Sequence, residues 1–145
     1  MTKLSLILSF IIIATFISAE SDISFKNLEN LAKQGNLAAQ IELANSYRKG
    51  IRVTQDYKTA VKWFTLAAEQ GKALAQYNLG RLYYLGKGVP ENLIYAHMWA
   101  KQSSSNGFEM GAEFTELLTE LMTKNQIEEA RRLGNECVIK KYKGC

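Results

Sequence analysis

The chain of 145 residues has little proline, histidine or cysteine, with one Pro, one His and two Cys. One His and two Cys cannot supply the four ligands of an ordinary zinc site, so we expect no metal centre and no cofactor. Hydrophobic residues at 47% and charged residues at 22% argue against a disordered or collagen-like chain. The composition therefore excludes most metalloenzymes and predicts one folded domain.

Basic residues are in small excess and are spread along the chain. Eighteen Lys and Arg against fourteen Asp and Glu give a net charge of +4. A protein that binds nucleic acid usually gathers its basic residues on one face or stripe. The charge pattern therefore predicts no nucleic-acid partner.

Residues 1–19 have the layout of a secretory signal peptide. Lys3 supplies a positive start, residues 4–17 form an uncharged and mostly apolar run, and Ala19 is a small residue at the expected cut. The run is shorter than the roughly 18 residues of a spanning helix, which makes an uncleaved anchor the weaker alternative. We expect cleavage after Ala19 and a mature domain of residues 20–145 that is periplasmic or secreted, without a membrane span.

The remainder of the chain is a repeat, because Gly35, Gly71 and Gly107 recur every 36 residues. A period of 20 to 50 residues is the signature of a solenoid or array. Aligning residues 36–71 with 72–107 pairs nine identical residues, where roughly two are expected by chance. The identical pairs are Ala39/Ala75, Gln40/Gln76, Leu43/Leu79, Tyr47/Tyr83, Gly50/Gly86, Val53/Val89, Ala60/Ala96, Trp63/Trp99 and Gly71/Gly107.

Each repeat predicts two helices. Ala75, Leu79 and Tyr83 lie on one stripe of a 3.6-residue period, and Asp56 and Asn92 stand where an N-cap would start the second helix. We expect full repeats at 36–71 and 72–107, with partial or capping units at 22–35 and 108–145. The predicted fold is an all-α superhelix, a solenoid of about seven helices stacked as antiparallel pairs.

Packing positions follow from the same pattern. Ala44 and Gly80 are small where two helices must approach closely, and Trp63 and Trp99 are expected to fill the space between hairpins. The last unit is expected to pair a helix over residues 108–122 with one over 124–138. In the first helix, over residues 23–34, four side chains are expected to face inward, namely Phe25, Leu28, Leu31 and Ala32.

Residues 75–90 (AQYNLGRLYYLGKGVP) and 95–100 (YAHMWA) closely resemble the Sel-1-like repeat, a tetratricopeptide-related helical repeat. Residues 121–133 also look like the capping helix of secreted bacterial members. The resemblance implies a non-catalytic scaffold that binds a partner protein or peptide. One branch of the family has a cysteine pair in every repeat, and some of its members bind or hydrolyse penicillins. Neither full repeat has a cysteine, so that activity is not carried over to this chain. The alternatives are an envelope enzyme or antibiotic-binding protein, which rests on family analogy alone, and a secreted host-contact factor.

In tetratricopeptide arrays the first helix of each pair lines the concave side. Tyr77, Arg81 and Tyr84 lie at i, i+4 and i+7 on such a helix, and Tyr and Arg are frequent interface anchors. Our hypothesis is that this face binds a partner; in the alternative, both tyrosines cover the neighbouring hairpin and Arg81 is solvated. The same hypothesis adds Asn45, Arg48 and Asn78.

No catalytic residue is predicted. His97 is the only histidine, and a general base needs a nucleophile or an acid beside it, which the repeat does not offer. We therefore expect His97 to be a partly buried helical residue.

Cys137 and Cys145 are predicted to form a disulfide, which is the default for such a pair in an oxidising compartment. A continuous helix would separate their Cα atoms by about 12 Å, too far for a disulfide. The chain must then leave the helix near Lys140 and turn back, which Gly144 permits. Free or intermolecularly paired thiols are the alternative.

Overall fold

The computed structural model describes residues 24–145, and these form helices without any strand. Helix α1 covers residues 24–33, and the predicted signal peptide at 1–19 lies outside the described residues. None of the described helices is both long enough and apolar enough to span a membrane. The six helices that follow are α2 (Leu37–Lys49), α3 (Tyr57–Ala68), α4 (Ala73–Leu85), α5 (Leu93–Ser105), α6 (Glu109–Leu121) and α7 (Lys124–Ile139).

The predicted N-caps are confirmed. The Asp56 carboxylate accepts hydrogen bonds from the Thr59 hydroxyl and from the amides of Thr59 and Lys58, and these bonds lower its pKa. Asn92 accepts from the amide of Tyr95 at 3.1 Å. Each cap satisfies backbone donors that have no partner inside the helix, so it fixes where the second helix of each repeat begins.

The repeat positions form the core. Leu43, Phe64, Leu79 and Trp99 are at most 1% exposed, and Trp63 is half-buried against the same clusters. The inward prediction is wrong for Leu31, which is 46% exposed. Helix α1 lies at the end of the described array, so only a narrow stripe of it is covered by α2 and Trp63.

Helix α5 is packed by three helices, each of which presents a glycine to it. A Cβ on Gly80 of α4 would lie 3.0 Å from the Ala96 carbonyl oxygen, which confirms the predicted close approach. The α6 residue Gly111 would place a Cβ 2.7 Å from the Ser104 amide nitrogen. A Cβ on Gly134 of α7 would lie 2.8 Å from Gln102 Nε2. A larger residue at Gly111 forces α6 away from the α5 backbone, and one at Gly134 displaces the end of the Gln102 side chain.

The last two helices, α6 and α7, do not pack against each other along their whole length. Helix α7 packs mainly on α5, where the Gln102 amide donates to the Gly134 carbonyl at 3.2 Å. Helices α6 and α7 share a hydrophobic cluster only near their connection, through Met122, Ile127 and Ala130. The expected partnership of these two helices therefore holds at one end, and a cavity separates them further along.

Buried glutamines join successive repeats in a pattern that itself repeats every 36 residues. The Gln40 amide donates to the Ala32 carbonyl at 3.1 Å, and the Gln76 amide donates to the Ala68 carbonyl at 3.2 Å. The two glutamine oxygens accept, at 2.8 and 2.9 Å, from Gln70 and Asn106 respectively. Each glutamine thus links the end of the previous repeat to the end of its own.

The predicted disulfide between Cys137 and Cys145 is confirmed, with Cα atoms 5.6 Å apart. Helix α7 ends at Ile139, and the chain turns back as expected near Lys140. The short loop that follows is tied to the solenoid. The Gly144 amide donates to the Glu69 carboxylate at 2.9 Å, and the Tyr142 hydroxyl lies 3.1 Å from the Asn106 amide nitrogen.

We expect Gln76→Leu to lower the free energy of unfolding by about 1–3 kcal/mol, measured by urea denaturation. Leucine fills a similar volume but can neither donate to the Ala68 carbonyl nor accept from the Asn106 amide, so both hydrogen bonds of a fully buried side chain are lost. Gln34→Leu is the matched control, because the Gln34 side chain is exposed and takes no part in these links between repeats. Equal losses in the two variants would contradict a role for buried glutamine in joining the repeats.

We expect the double variant Cys137→Ala/Cys145→Ala to lose roughly 2–3 kcal/mol of stability, the loop-closure value for so short a ring. Wild-type protein in reductant should unfold at nearly the same urea concentration as the variant. Thiol labelling of the non-reduced, unfolded wild-type protein should find no free cysteine. An unchanged unfolding midpoint in the variant would show that the disulfide adds no stability.

Candidate functional site

Three of the predicted binding residues meet at a small pocket between the last turns of α2 and α4. The pocket has a volume of about 110 Å³, enough for one side chain, whereas small-molecule sites usually exceed about 300 Å³. We call it the basic pocket, because three of its residues are cations. It is lined by Arg48, Tyr57, Asn78, Arg81, Leu82, Leu85 and Lys87.

Each cation of the basic pocket is held by an uncharged neighbour. The Arg48 guanidinium donates to the Asn45 side-chain oxygen at 2.9 and 3.2 Å, which gives the predicted residue Asn45 a positioning role. The Arg81 guanidinium lies 5.7 Å from the centre of the Tyr77 ring. The Lys87 ammonium lies 5.1 Å from the centre of the Tyr57 ring and 3.5 Å from its hydroxyl.

These three positive charges are not neutralised within the described residues. In that part of the chain the ion pairs are those of Arg132, with Glu129 and Glu136. Arg48, Arg81 and Lys87 therefore have no carboxylate within 4 Å among residues 24–145. A site with fixed positive charge and no internal counter-ion attracts an anionic group.

The predicted tyrosines pack toward α6. The Tyr77 ring meets Phe108 and Phe114 edge-on, with centroids 5.2 and 5.7 Å apart, and Tyr84 meets Phe114 at 5.7 Å. Both tyrosines are half-buried, and Arg81 beside them is exposed. The rings thus cover the neighbouring hairpin and still present one edge to solvent.

The tertiary fold adds two residues that sequence spacing did not identify, Tyr57 and Lys87. Lys87 is in the loop after α4, and the neighbouring Gly88 approaches the start of α3 so closely that a Cβ would lie 2.4 Å from the Tyr57 carbonyl oxygen. This contact puts Lys87 over the Tyr57 ring. Asn78 is only 8% exposed and donates to the Leu74 carbonyl at 2.9 Å, so it forms part of the pocket floor.

His97 is 7% exposed, and its Nε2 atom lies 3.0 Å from the Thr119 hydroxyl oxygen. Burial, with a smaller effect from the charge of Lys101, lowers the pKa of the imidazole. The Thr119 hydroxyl donates its hydrogen to the Thr115 carbonyl at 2.7 Å rather than to the imidazole. Among residues 24–145, no three His, Cys, Asp or Glu side chains are grouped to hold a metal ion.

Comparison with known proteins identifies the repeat. The model of the Sel1 repeat family matches residues 37–72 and 73–108. The chain is 42% identical over 53 residues to a putative sel1-like repeat-containing protein, L21, of Acanthamoeba polyphaga mimivirus. That match covers 37% of this chain and 10% of the viral protein.

Two solved structures share the fold. One is c5321, a protective antigen of uropathogenic Escherichia coli strains with an SLR fold, at 33% identity and a TM-score of 0.77. That alignment covers 81% of this chain and 25% of the antigen. The other is a Sel1 repeat protein from Oxalobacter formigenes, at 30% identity and a TM-score of 0.64, over 74% of this chain and 44% of that one.

This chain spans about a tenth of the length of the viral relative and less than half of either solved structure. The two repeats that the family model matches include the helix pairs that form the basic pocket. The chain belongs to the Sel1-like repeat family, as the matching family model, the sequence identities and the shared fold show.

Proposed function

We propose that this protein is an exported, non-catalytic interaction module that binds an acidic segment of a partner protein. The observation that carries the proposal is the basic pocket. Three cations surround a cavity of about 110 Å³, and each is held in place by an uncharged side chain. The complementary group is a single Asp or Glu side chain.

Pre-positioning favours binding at this site. Arg48 is fixed by Asn45 and Arg81 rests on Tyr77, so neither guanidinium must lose much rotational freedom when a carboxylate arrives. Arg is suited to a carboxylate because its donors form a planar fork that two oxygens can accept. Asn45 therefore supports binding without touching the partner.

The surroundings of the pocket suit a peptide backbone and apolar side chains. Leu85 is 46% exposed at the pocket rim, and the half-exposed Tyr77 and Tyr84 continue the same face of α4. Aromatic rings supply contact area at a low entropic cost, and they are common anchors in interfaces. An extended acidic segment with a flanking apolar residue matches this arrangement.

Family membership supports the same function, because Sel1 repeat proteins generally act in protein–protein interaction. Export is supported by the signal-peptide layout of residues 1–19 and by the disulfide between Cys137 and Cys145, since such bonds persist in oxidising compartments. The similarity to a bacterial antigen with this fold adds to that support.

The binding prediction concerns a fluorescein-labelled peptide that carries Asp or Glu beside a leucine. We expect saturable binding by fluorescence anisotropy and a loss of about tenfold or more in affinity for Arg48→Glu/Arg81→Glu. The charge reversal replaces two attractive contacts to the peptide with repulsion. The loss of one such charge pair typically costs more than about 1 kcal/mol of binding free energy.

The matched control is Lys62→Glu/Lys124→Glu, which makes the same change in net charge at two exposed positions outside the pocket. It should bind the peptide nearly as tightly as the wild type. A peptide with Asn or Gln in place of the acids should bind weakly to every variant. Equal weakening by the two double reversals would mean that only net charge matters, and the pocket assignment would be wrong.

The export prediction is tested by expressing the full chain in a bacterium and measuring the intact mass. We expect a product that begins at Glu20, lies outside the cytoplasm and is lighter than its reduced form by the mass of two hydrogen atoms. Lys3→Glu should slow export, because the positive start of a signal peptide is reversed. A cytoplasmic product that keeps Met1 and has free thiols would contradict export.

A further inference from the structure

Helix α6 leaves a row of large apolar side chains uncovered. Met110, Leu117 and Leu121 are 48%, 47% and 52% exposed. Their spacing of seven and four residues puts them on one side of the helix, and Phe114 continues the same row. We call these four residues the α6 face. Contiguous exposed apolar surface, unlike a single exposed leucine, marks an interaction site.

The core uses a neighbouring side of α6. Gly111, Leu118 and Met122 each come one position after a residue of the α6 face, and all three are buried. Gly111 lies against the backbone of α5, and Leu118 and Met122 pack in a cluster with the alanines of that helix. The contact with α5 therefore holds α6 in place and leaves the α6 face turned away from the core.

The α6 face adjoins the basic pocket through Tyr77. The Tyr77 ring meets Phe114 with centroids 5.7 Å apart, and the Arg81 guanidinium lies 5.7 Å from the centre of the same ring. The Tyr84 ring also meets Phe114 at 5.7 Å. The two tyrosines thus fill the boundary between α4 and α6, and the α6 face continues the surface that begins on α4.

A row of glutamates accompanies the α6 face along its whole length. Each residue of the face is directly preceded in the chain by an exposed glutamate. One residue advances a helix by about 100°, so these glutamates form a second row beside the apolar one. We call it the acidic row, and it consists of Glu109, Glu113, Glu116 and Glu120.

The acidic row has no counter-charge in the part of the chain that the structure describes. Helix α6 contains no Lys or Arg. Lys101 of α5 borders a depression together with Glu116 and Glu120, but the ion pairs among residues 24–145 are those of Arg132. Uncompensated carboxylates beside an apolar row are complementary to a surface that is both basic and apolar.

This charge favours one occupant of the α6 face over two others. A second copy that packed through its own α6 would add four glutamates and no cation. A membrane with anionic lipids would be repelled by the same carboxylates. A partner segment with basic residues beside its apolar side supplies both the apolar contact and the counter-charge.

The geometry of the α6 face suits a helical partner. The four residues are spaced by four, three and four positions, which is the spacing by which one helix packs along another. At about 1.5 Å per residue the row is about 16 Å long, which three turns of a helix cover. An extended segment turns successive side chains to opposite sides, so it does not set a basic row beside an apolar one.

We propose that the α6 face binds a basic amphipathic helix of a partner protein. The apolar side of that helix packs on Met110, Leu117 and Leu121, and its basic residues lie opposite the acidic row. This goes beyond the proposed function, because the α6 face and the basic pocket are bordered by opposite charges and lie on different helices. Since Tyr77 joins the two, a partner that occupies both has its acidic residue on the α4 side and its basic residues on the α6 side.

The probe is a fluorescein-labelled peptide of about 16 residues, long enough to cover the row as a helix. It has leucines at the spacing of the α6 face, lysines beside them, alanines elsewhere and no acidic residue. We expect saturable binding by fluorescence anisotropy, with a dissociation constant below about 100 µM. A second peptide with alanine in place of each leucine keeps the charge and the helix, and it should bind about tenfold more weakly or worse.

Glu113→Gln/Glu120→Gln should weaken binding of the leucine peptide about fivefold, because the two glutamates beside Leu117 lose their charge. The matched control is Glu91→Gln/Glu128→Gln, which removes the same charge from two exposed residues outside the acidic row. It should bind like the wild type.

Leu117→Ser should weaken binding about tenfold, because the centre of the apolar contact is lost. Leu66→Ser is the control, since Leu66 on α3 is 44% exposed and lies outside the α6 face. Unfolding curves check that every variant is folded.

Three results would overturn the proposal: equal binding of the leucine and alanine peptides, equal loss in the two glutamate double variants, or wild-type affinity in Leu117→Ser. Two further results would assign the face to another occupant and overturn it as well. One is self-association of the protein alone, measured by sedimentation velocity, that Leu117→Ser abolishes. The other is binding to phosphatidylglycerol vesicles that the same substitution abolishes.

Failure at the α6 face is separable from failure at the basic pocket. Arg48→Glu/Arg81→Glu should bind the basic leucine peptide at least as tightly as the wild type, since it removes positive charge near the face. Glu113→Gln/Glu120→Gln should bind the acidic peptide at least as tightly as the wild type. An acidic peptide that binds while the basic peptide does not would overturn the α6 assignment and leave the basic pocket standing.

Discussion

The close packing of three helices around α5 is the constraint on which the rest of this structure depends. Helices α4, α6 and α7 each place a glycine against α5. An added carbon would meet the α5 backbone at 3.0 Å for Gly80 and 2.7 Å for Gly111, and the end of the Gln102 side chain at 2.8 Å for Gly134. Interiors are packed as densely as organic crystals, so these contacts leave little room for adjustment. The position of α4 in turn determines where Arg81 and Lys87 stand relative to Arg48. The positions of α6 and α7 determine the width of the cavity between them.

Sequence alone predicted the architecture because two successive segments carry the same core and turn residues at the same positions. The nine identical pairs include core residues, the turn glycines Gly50 and Gly86, and the glutamines that link successive repeats. Residue type alone was enough to predict the caps at Asp56 and Asn92 and the close approach at Gly80. The disulfide followed from the predicted export of a chain with only two cysteines, and the reach of the chain then required the turn near Lys140.

The features that sequence could not predict depend on packing across helices. Tyr57 and Lys87 are thirty residues apart and meet only because the loop after α4 rests on the start of α3. The position of α7 on α5 follows from Gly134, which falls outside the two full repeats and has no equivalent to compare with. Leu31 was expected to be buried because it falls on the apolar 3.6-residue period of α1. A terminal helix, however, has too few neighbours to cover the full width of its apolar face.

The central claim is that this solenoid binds an acidic segment of another protein at the basic pocket. Its most direct test is photo-crosslinking in cells from p-benzoylphenylalanine in place of Leu85, at the rim of the pocket. The same substitution at Leu66 is the control, since the two leucines are 46% and 44% exposed. We predict that Leu85 alone captures a defined protein, joined through a peptide with Asp or Glu beside the crosslink. Capture of the same proteins from both positions, or through peptides without acidic residues, would contradict the claim.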